Sequence, residues 1–152
     1  MRRVWTVGQA AKVVGVPART VLRWIRDGLV GLRLYAPEGR GTRLLLLEDE
    51  LLELWAIADL RKQGVSLQRV RGLLYGLAEQ GLHLSDYRFV LVRGAEVTGL
   101  KDPEELWEQV GSGQFLLLDV EEASERLRET PGEPLAAAWE LFLDTQEAMG
   151  LG

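Results

Sequence analysis

Apolar residues recur at helical spacing from the start of the chain. Thr6-Val7-Gly8-Gln9 has the form of a capping box, Ser or Thr followed three residues later by Glu or Gln. Val7, Ala10, Ala11 and Val14 then share one helical face, and Gly15 predicts the stop, because glycine accepts left-handed backbone just past a helix end. Pro17 presets the first turn of a second helix over 18–27, closed by Gly28. In that helix Val21, Trp24 and Ile25 form one face, continued by Leu29. Arg19, Arg23 and Arg26 form another.

Between residues 29 and 46 the pattern changes. Two apolar stretches, 32–35 and 42–46, flank Pro37, Gly39 and Gly41, which predicts a hairpin with a glycine-rich tip. Glu48-Asp49-Glu50 opens a third helix with three acids, suited to the positive end of its dipole. Its predicted stripe is Leu51, Leu54, Trp55, Ala58 and Lys62, up to Gly64. Ser66 caps a fourth helix with Leu67, Val70, Leu74 and Leu77 on one face, ending at Gly81. Beyond His83 come strands predicted at 88–92, 96–98 and 114–118, a short helix from Asp102-Pro103 to Val110 and another over 121–128. Thr130-Pro131-Gly132-Glu133-Pro134 reads as a linker by composition, followed by an amphipathic helix over 135–149. The fold class expected is α+β, mostly α. The domains expected are an N-terminal domain over 1–82, a small α+β module over 83–130, and a linker with a C-terminal helix over 131–152.

Charge divides the chain in two. Residues 1–76 hold 13 Lys and Arg against 7 Asp and Glu, and residues 77–152 hold 5 against 16, so a net charge of −5 conceals a basic half and a strongly acidic one. A basic half meets phosphates favourably, whereas an acidic half is repelled by them. There is no cysteine and a single histidine, His83. That excludes disulfides, thiolate metal sites and cysteine nucleophiles, and with no second histidine a metal-ligand or general-base role for His83 is not expected. No cofactor is expected. No apolar run approaches the roughly 20 residues of a membrane span, and no signal peptide is expected, so the reading is a cytoplasmic protein.

Other tempting residues have ordinary explanations. The scattered glycines lack the strand, Gly-rich loop and Lys-Ser/Thr order of a phosphate loop. Asp102, Glu104 and Glu105 are expected to cap and solvate a short helix rather than act as a carboxylate pair. The five tryptophans stand mostly at core spacing. Trp24 is expected to pack in the core rather than serve a functional surface. The apolar side of the last helix, Leu135, Trp139, Phe142 and Met149, is expected to meet a partner, a second copy or its own domain.

Two short helices joined at Gly15-Val16-Pro17, the second bearing an arginine face free of acids, make a helix-turn-helix followed by a basic hairpin. The stretch Thr20–Gly28 resembles the recognition helix of excisionase-type and MerR-type winged helices. The stretch Leu60–Arg71, Leu-Arg-Lys-Gln-Gly-Val-Ser-Leu-Gln-Arg-Val-Arg, resembles the MerR junction between third and fourth helices. The resemblance covers about residues 5–80 and implies a dimeric regulator on a palindromic DNA site. It implies DNA contacts from Arg19, Arg23 and Arg26 and wing contacts from Arg40 and Arg43. Lys12, Thr20 and Arg33 join them as candidates. The chain departs from MerR regulators in lacking a long helix after the fourth and any effector cysteine. Residues 84–128 resemble the middle segment of MerR-like antitoxins, through Gly113-Gln114-Phe115-Leu116-Leu117-Leu118. The functional expectation is therefore a non-enzymatic transcriptional regulator. The alternative is an antitoxin-like protein that binds a toxin-like partner and autoregulates its operon.

Overall fold

A computed structural model describes residues 3–31, 34–38, 41–109, 111 and 113–135, the side chains of 34–38 and 41–43 excepted. The helix expected over 135–149 lies outside them beyond Leu135. The fold is α+β, mostly α. It divides into two compact units, residues 1–51 with 127–152, and residues 52–126.

In the first unit the initial residues form a strand that periodicity did not predict. This strand, β1 (Arg3–Thr6), runs straight into α1 (Val7–Val14). The Thr6 hydroxyl accepts from the Gln9 amide while the Gln9 side chain accepts from the Thr6 amide, so the capping box is complete. The helix ends at Gly15 in left-handed backbone, φ 78°. Its buried face is Ala10, Val13 and Val14, one position rotated from the expected stripe, with Val7 and Ala11 half-buried. Pro17 then caps α2 (Ala18–Arg26) from the N-cap position rather than inside the first turn.

The hairpin forms from β2 (Leu34–Glu38) and β3 (Gly41–Leu47), antiparallel, with Tyr35 opposite Leu44 and Glu38 opposite Gly41. The strand β3 runs on to Leu47 because its inner half also pairs with β1, Val4 opposite Leu47 and Thr6 opposite Leu45. Leu45, Leu46 and Leu47 are all buried, which explains a continuous apolar run where a half-exposed strand would alternate. The other edge of β1 takes β7 (Glu133–Pro134), giving the order β2-β3-β1-β7. Residues 130–134, expected as a linker, are thus held down. The Trp5 indole donates to the Thr130 carbonyl, Arg3 donates to the Gly132 carbonyl, and Leu135 packs on Val4, Leu45 and Leu47.

The next helix, α3 (Glu48–Lys62), begins with a buried acid. Glu50 is 3% exposed, and its Oε1 accepts from the Leu47 amide at 2.9 Å, the reciprocal half of a capping box at the positive helix end. The expected single stripe is too narrow. Leu51, Leu52, Leu54, Trp55, Ala56, Ile57, Ala58 and Leu60 are all buried, a face much wider than one stripe, while Asp49, Glu53 and Asp59 are half-buried and Lys62 is exposed.

The second unit continues with α4 (Leu67–Glu79), capped by the Ser66 hydroxyl accepting from the Arg69 amide. Its buried face is Val70, Leu73 and Leu77; Leu74 and Leu67 are half-buried. A short 3-10 turn (Leu84–Asp86) leads to an antiparallel sheet of β4 (Phe89–Arg93), β5 (Glu96–Leu100) and β6 (Leu116–Asp119), in the order β5-β4-β6. Between them lies α5 (Pro103–Gln109), and α6 (Val120–Glu129) follows β6 directly. Tyr87 lies across the backbone of Gly99, where a Cβ would come within 2.5 Å of its ring. Of the tryptophans, Trp5, Trp24 and Trp55 are core, as their spacing implied, but Trp107 on α5 is 75% exposed.

Candidate nucleic-acid interface

The candidate interface lies within the first unit. Position is set by the turn at 15–17, where Gly15 and Val16 amides both donate to the Ala11 carbonyl and the Thr20 amide donates to the Pro17 carbonyl. The first pair finishes one helix and the second bond starts the next, so the crossing of α1 and α2 is fixed by backbone hydrogen bonds. Only a residue free of a Cβ takes φ 78° here without strain.

On α2 the two faces are cleanly divided. Val21 and Trp24 are buried, 0% and 6% exposed, and Leu29 continues that face into the core. Arg19, Arg23 and Arg26 are exposed together on the opposite side. The helix contains no acidic residue, and Arg23 and Arg26 stand in its last turn, where the negative dipole end favours them. Their guanidinium groups therefore stand in water, available to phosphates or base edges. Leu22, half-buried, sits on the same side between Arg19 and Arg26. Sequence reasoning passed over it, although its place three residues after Arg19 and four before Arg26 was readable.

The remaining candidates are placed less closely together. Lys12 is exposed in the last turn of α1, and Thr20 is half-buried on the flank of α2. Arg43 occupies β3, paired with Ala36 across the hairpin. Arg33 and Arg40 lie outside the described residues, as do Trp139, Phe142 and Met149. His83 is exposed beside the 3-10 turn, and among the described residues no cluster of His, Asp or Glu is suited to a metal ion.

Residues 5–77 match the family of MerR HTH regulatory proteins. This is a MerR-type helix-turn-helix domain. The match begins in β1 and ends in α4, so it takes in α1, α2, the hairpin and α3 as one family unit. The match supports a DNA-binding transcription regulator. No curated protein matches the sequence significantly. Among the described residues no helix is long and apolar enough to cross a membrane.

Proposed function

We propose that the protein acts as a homodimer on a palindromic DNA site, reading it with α2 and flanking it with the β2–β3 wing. The arginine face of α2 carries this reading: Arg19, Arg23 and Arg26 exposed together, opposite the buried Val21 and Trp24. In helix-turn-helix docking the second helix enters the major groove. Arginine suits that place because its planar fork matches either a phosphate or the O6/N7 edge of guanine. Leu22 beside it offers an apolar contact for a thymine methyl group, and Thr20 a hydroxyl for base or phosphate. Lys12 from α1 and Arg33, Arg40 and Arg43 from the wing would neutralise neighbouring phosphates.

In this reading residues 1–82 form the DNA-binding domain and 83–130 a regulatory or partner-binding module. Of residues 131–152, those after the β7 pairing supply a docking helix through Trp139, Phe142 and Met149, while Leu135 is taken up by Val4, Leu45 and Leu47 of its own domain. Two copies would present their recognition helices to half-sites about one helical turn apart, roughly 34–36 Å. MerR HTH regulators are typically non-enzymatic, and no reaction is proposed.

The test is a mobility-shift titration on the DNA upstream of the protein's own reading frame, over several salt concentrations, with Arg23→Ala and Arg26→Ala alongside. Saturable binding that weakens with salt, and by about 1–3 kcal/mol for each substitution, supports the assignment. No shift at low salt with micromolar protein overturns it. The acidic half and a toxin-like protein partner would then become the leading alternative.

A further inference from the structure

The second unit contains two adjoining cavities that the DNA-binding reading does not use. One, of about 400 Å³, lies between α4 and the β4–β5 turn and is lined by Arg69, Gly72, Leu73, Gly76, Gly94, Ala95 and Val97. The other, of about 530 Å³, shares Arg69 and Gly94 with it and extends along Val92 to Gln114, Phe115 and Leu116. We propose that together they form a binding site for a small amphipathic carboxylate, its anionic head at Arg69 and its apolar body between α4 and Val97.

Size, lining and charge point the same way. Volumes of this order suit a small organic ligand. The first cavity is walled by aliphatic and glycine surface, which favours a hydrocarbon body. Arg69 is the charged residue of both linings, and no acid is among their described residues, even though the C-terminal half is acidic. Its guanidinium donates to the Gly94 carbonyl at a long 3.4 Å, which leaves most of its five N–H groups for a ligand.

The glycines add a separate argument. Arg69, Gly72, Leu73 and Gly76 stand at i, i+3, i+4 and i+7, on one face of α4. A Cβ at Gly72 or Gly76 would meet nothing within 4 Å, and neither has positive φ. Among the described residues neither close packing nor backbone conformation requires glycine there, and each costs helix stability relative to alanine. What they provide is open space beside Leu73.

The test is calorimetric titration of the full chain with octanoate, and with octanol and octylammonium as probes of the head group. Octanoate is expected to bind the wild type at least 10-fold more tightly than either. Gly76→Leu, which fills the first cavity, is expected to abolish binding. Arg69→Ala is expected to reduce octanoate to the level of octanol. Gly72→Ala with Gly76→Ala serves as a second filling variant and should raise the melting temperature while weakening octanoate. No octanoate binding at millimolar concentration, equal binding of the three probes, or unchanged binding in the filled variants would overturn the proposal. None of these readouts involves DNA, so a failure here leaves the regulator reading standing, and the reverse.

Discussion

The Trp5 indole donates its Nε1 proton to the Thr130 carbonyl at 2.8 Å, joining two residues 125 positions apart. The bond holds the later segment so that β7 extends the sheet containing the wing. Gly132 is buried under the same indole, and a Cβ there would collide with the Val4 carbonyl and come within 2.9 Å of the Trp5 ring. The MerR domain is thus completed by residues far outside the family match.

Trp5→Phe should keep most of the packing and lose the hydrogen bond, costing about 1 kcal/mol. Gly132→Ala should cost more, about 1–3 kcal/mol, because backbone rather than a movable side-chain tip blocks the new methyl. Urea unfolding checks the order. Equal stability of Gly132→Ala and wild type would mean that the segment is not held against β1.

The start of the MerR domain offers a second comparison. Thr6→Ala removes the acceptor for the Gln9 amide and should destabilise by about 1 kcal/mol. Gly15→Ala forces a Cβ into left-handed backbone at about 1–2 kcal/mol, and also shifts the angle at which α2 leaves α1. Stability and DNA affinity should fall together in Gly15→Ala, whereas Thr6→Ala should lose stability alone. Denaturant midpoints beside mobility shifts separate the two effects.

These local devices are also what the sequence made legible. Thr6, Gln9, Gly15, Pro17 and Ser66 act on neighbours within four residues, so their spacing specifies the caps and turns of α1, α2 and α4. The MerR resemblance over residues 60–71 depended on the same punctuation, and the family match contains it. The strands β1 and β7 were not legible, because four and two residues carry no periodicity and become strands only through partners 39 to 131 positions away. The stripe assigned to α3 was too narrow because its Leu, Ala and Ile positions are buried over most of the helix's circumference, which a narrow amphipathic template cannot express. The arginine face of α2 was readable as exposed from the opposing Val21 and Trp24. Which DNA atoms it meets is a property of a complex and stands as the proposal above.

Trp24 separates packing from recognition. At 6% exposure it is core, although it lies on the candidate recognition helix. Trp24→Phe should keep operator affinity within about twofold, consistent with no lost DNA contact, while lowering stability modestly. Trp24→Ala should cost about 3–5 kcal/mol and lose DNA binding through unfolding. A folded Trp24→Phe that binds DNA tenfold more weakly, shown by circular dichroism beside mobility shift, would place the indole at the DNA instead.

Asp59 on α3 ties stability to pH. Burial pushes its carboxyl above the ordinary aspartate range; Glu122 and Asp119 push the same way, and the Gln63 hydrogen bond and Lys62 oppose them. A carboxyl whose pKa rises on folding holds a proton that the unfolded chain has already released. Its charged form therefore costs stability above the folded pKa, and the cost fades as pH falls through that value toward the unfolded one. Asn keeps the acceptor for the Gln63 amide, now at 2.8 Å from Asp59 Oδ2, without the buried charge. Asp59→Asn is thus expected to be more stable than wild type at neutral pH, with the difference shrinking in acid. Urea midpoints across that range check it, and a stabilisation independent of pH, or none at neutrality, would show that the charge at Asp59 carries no such cost.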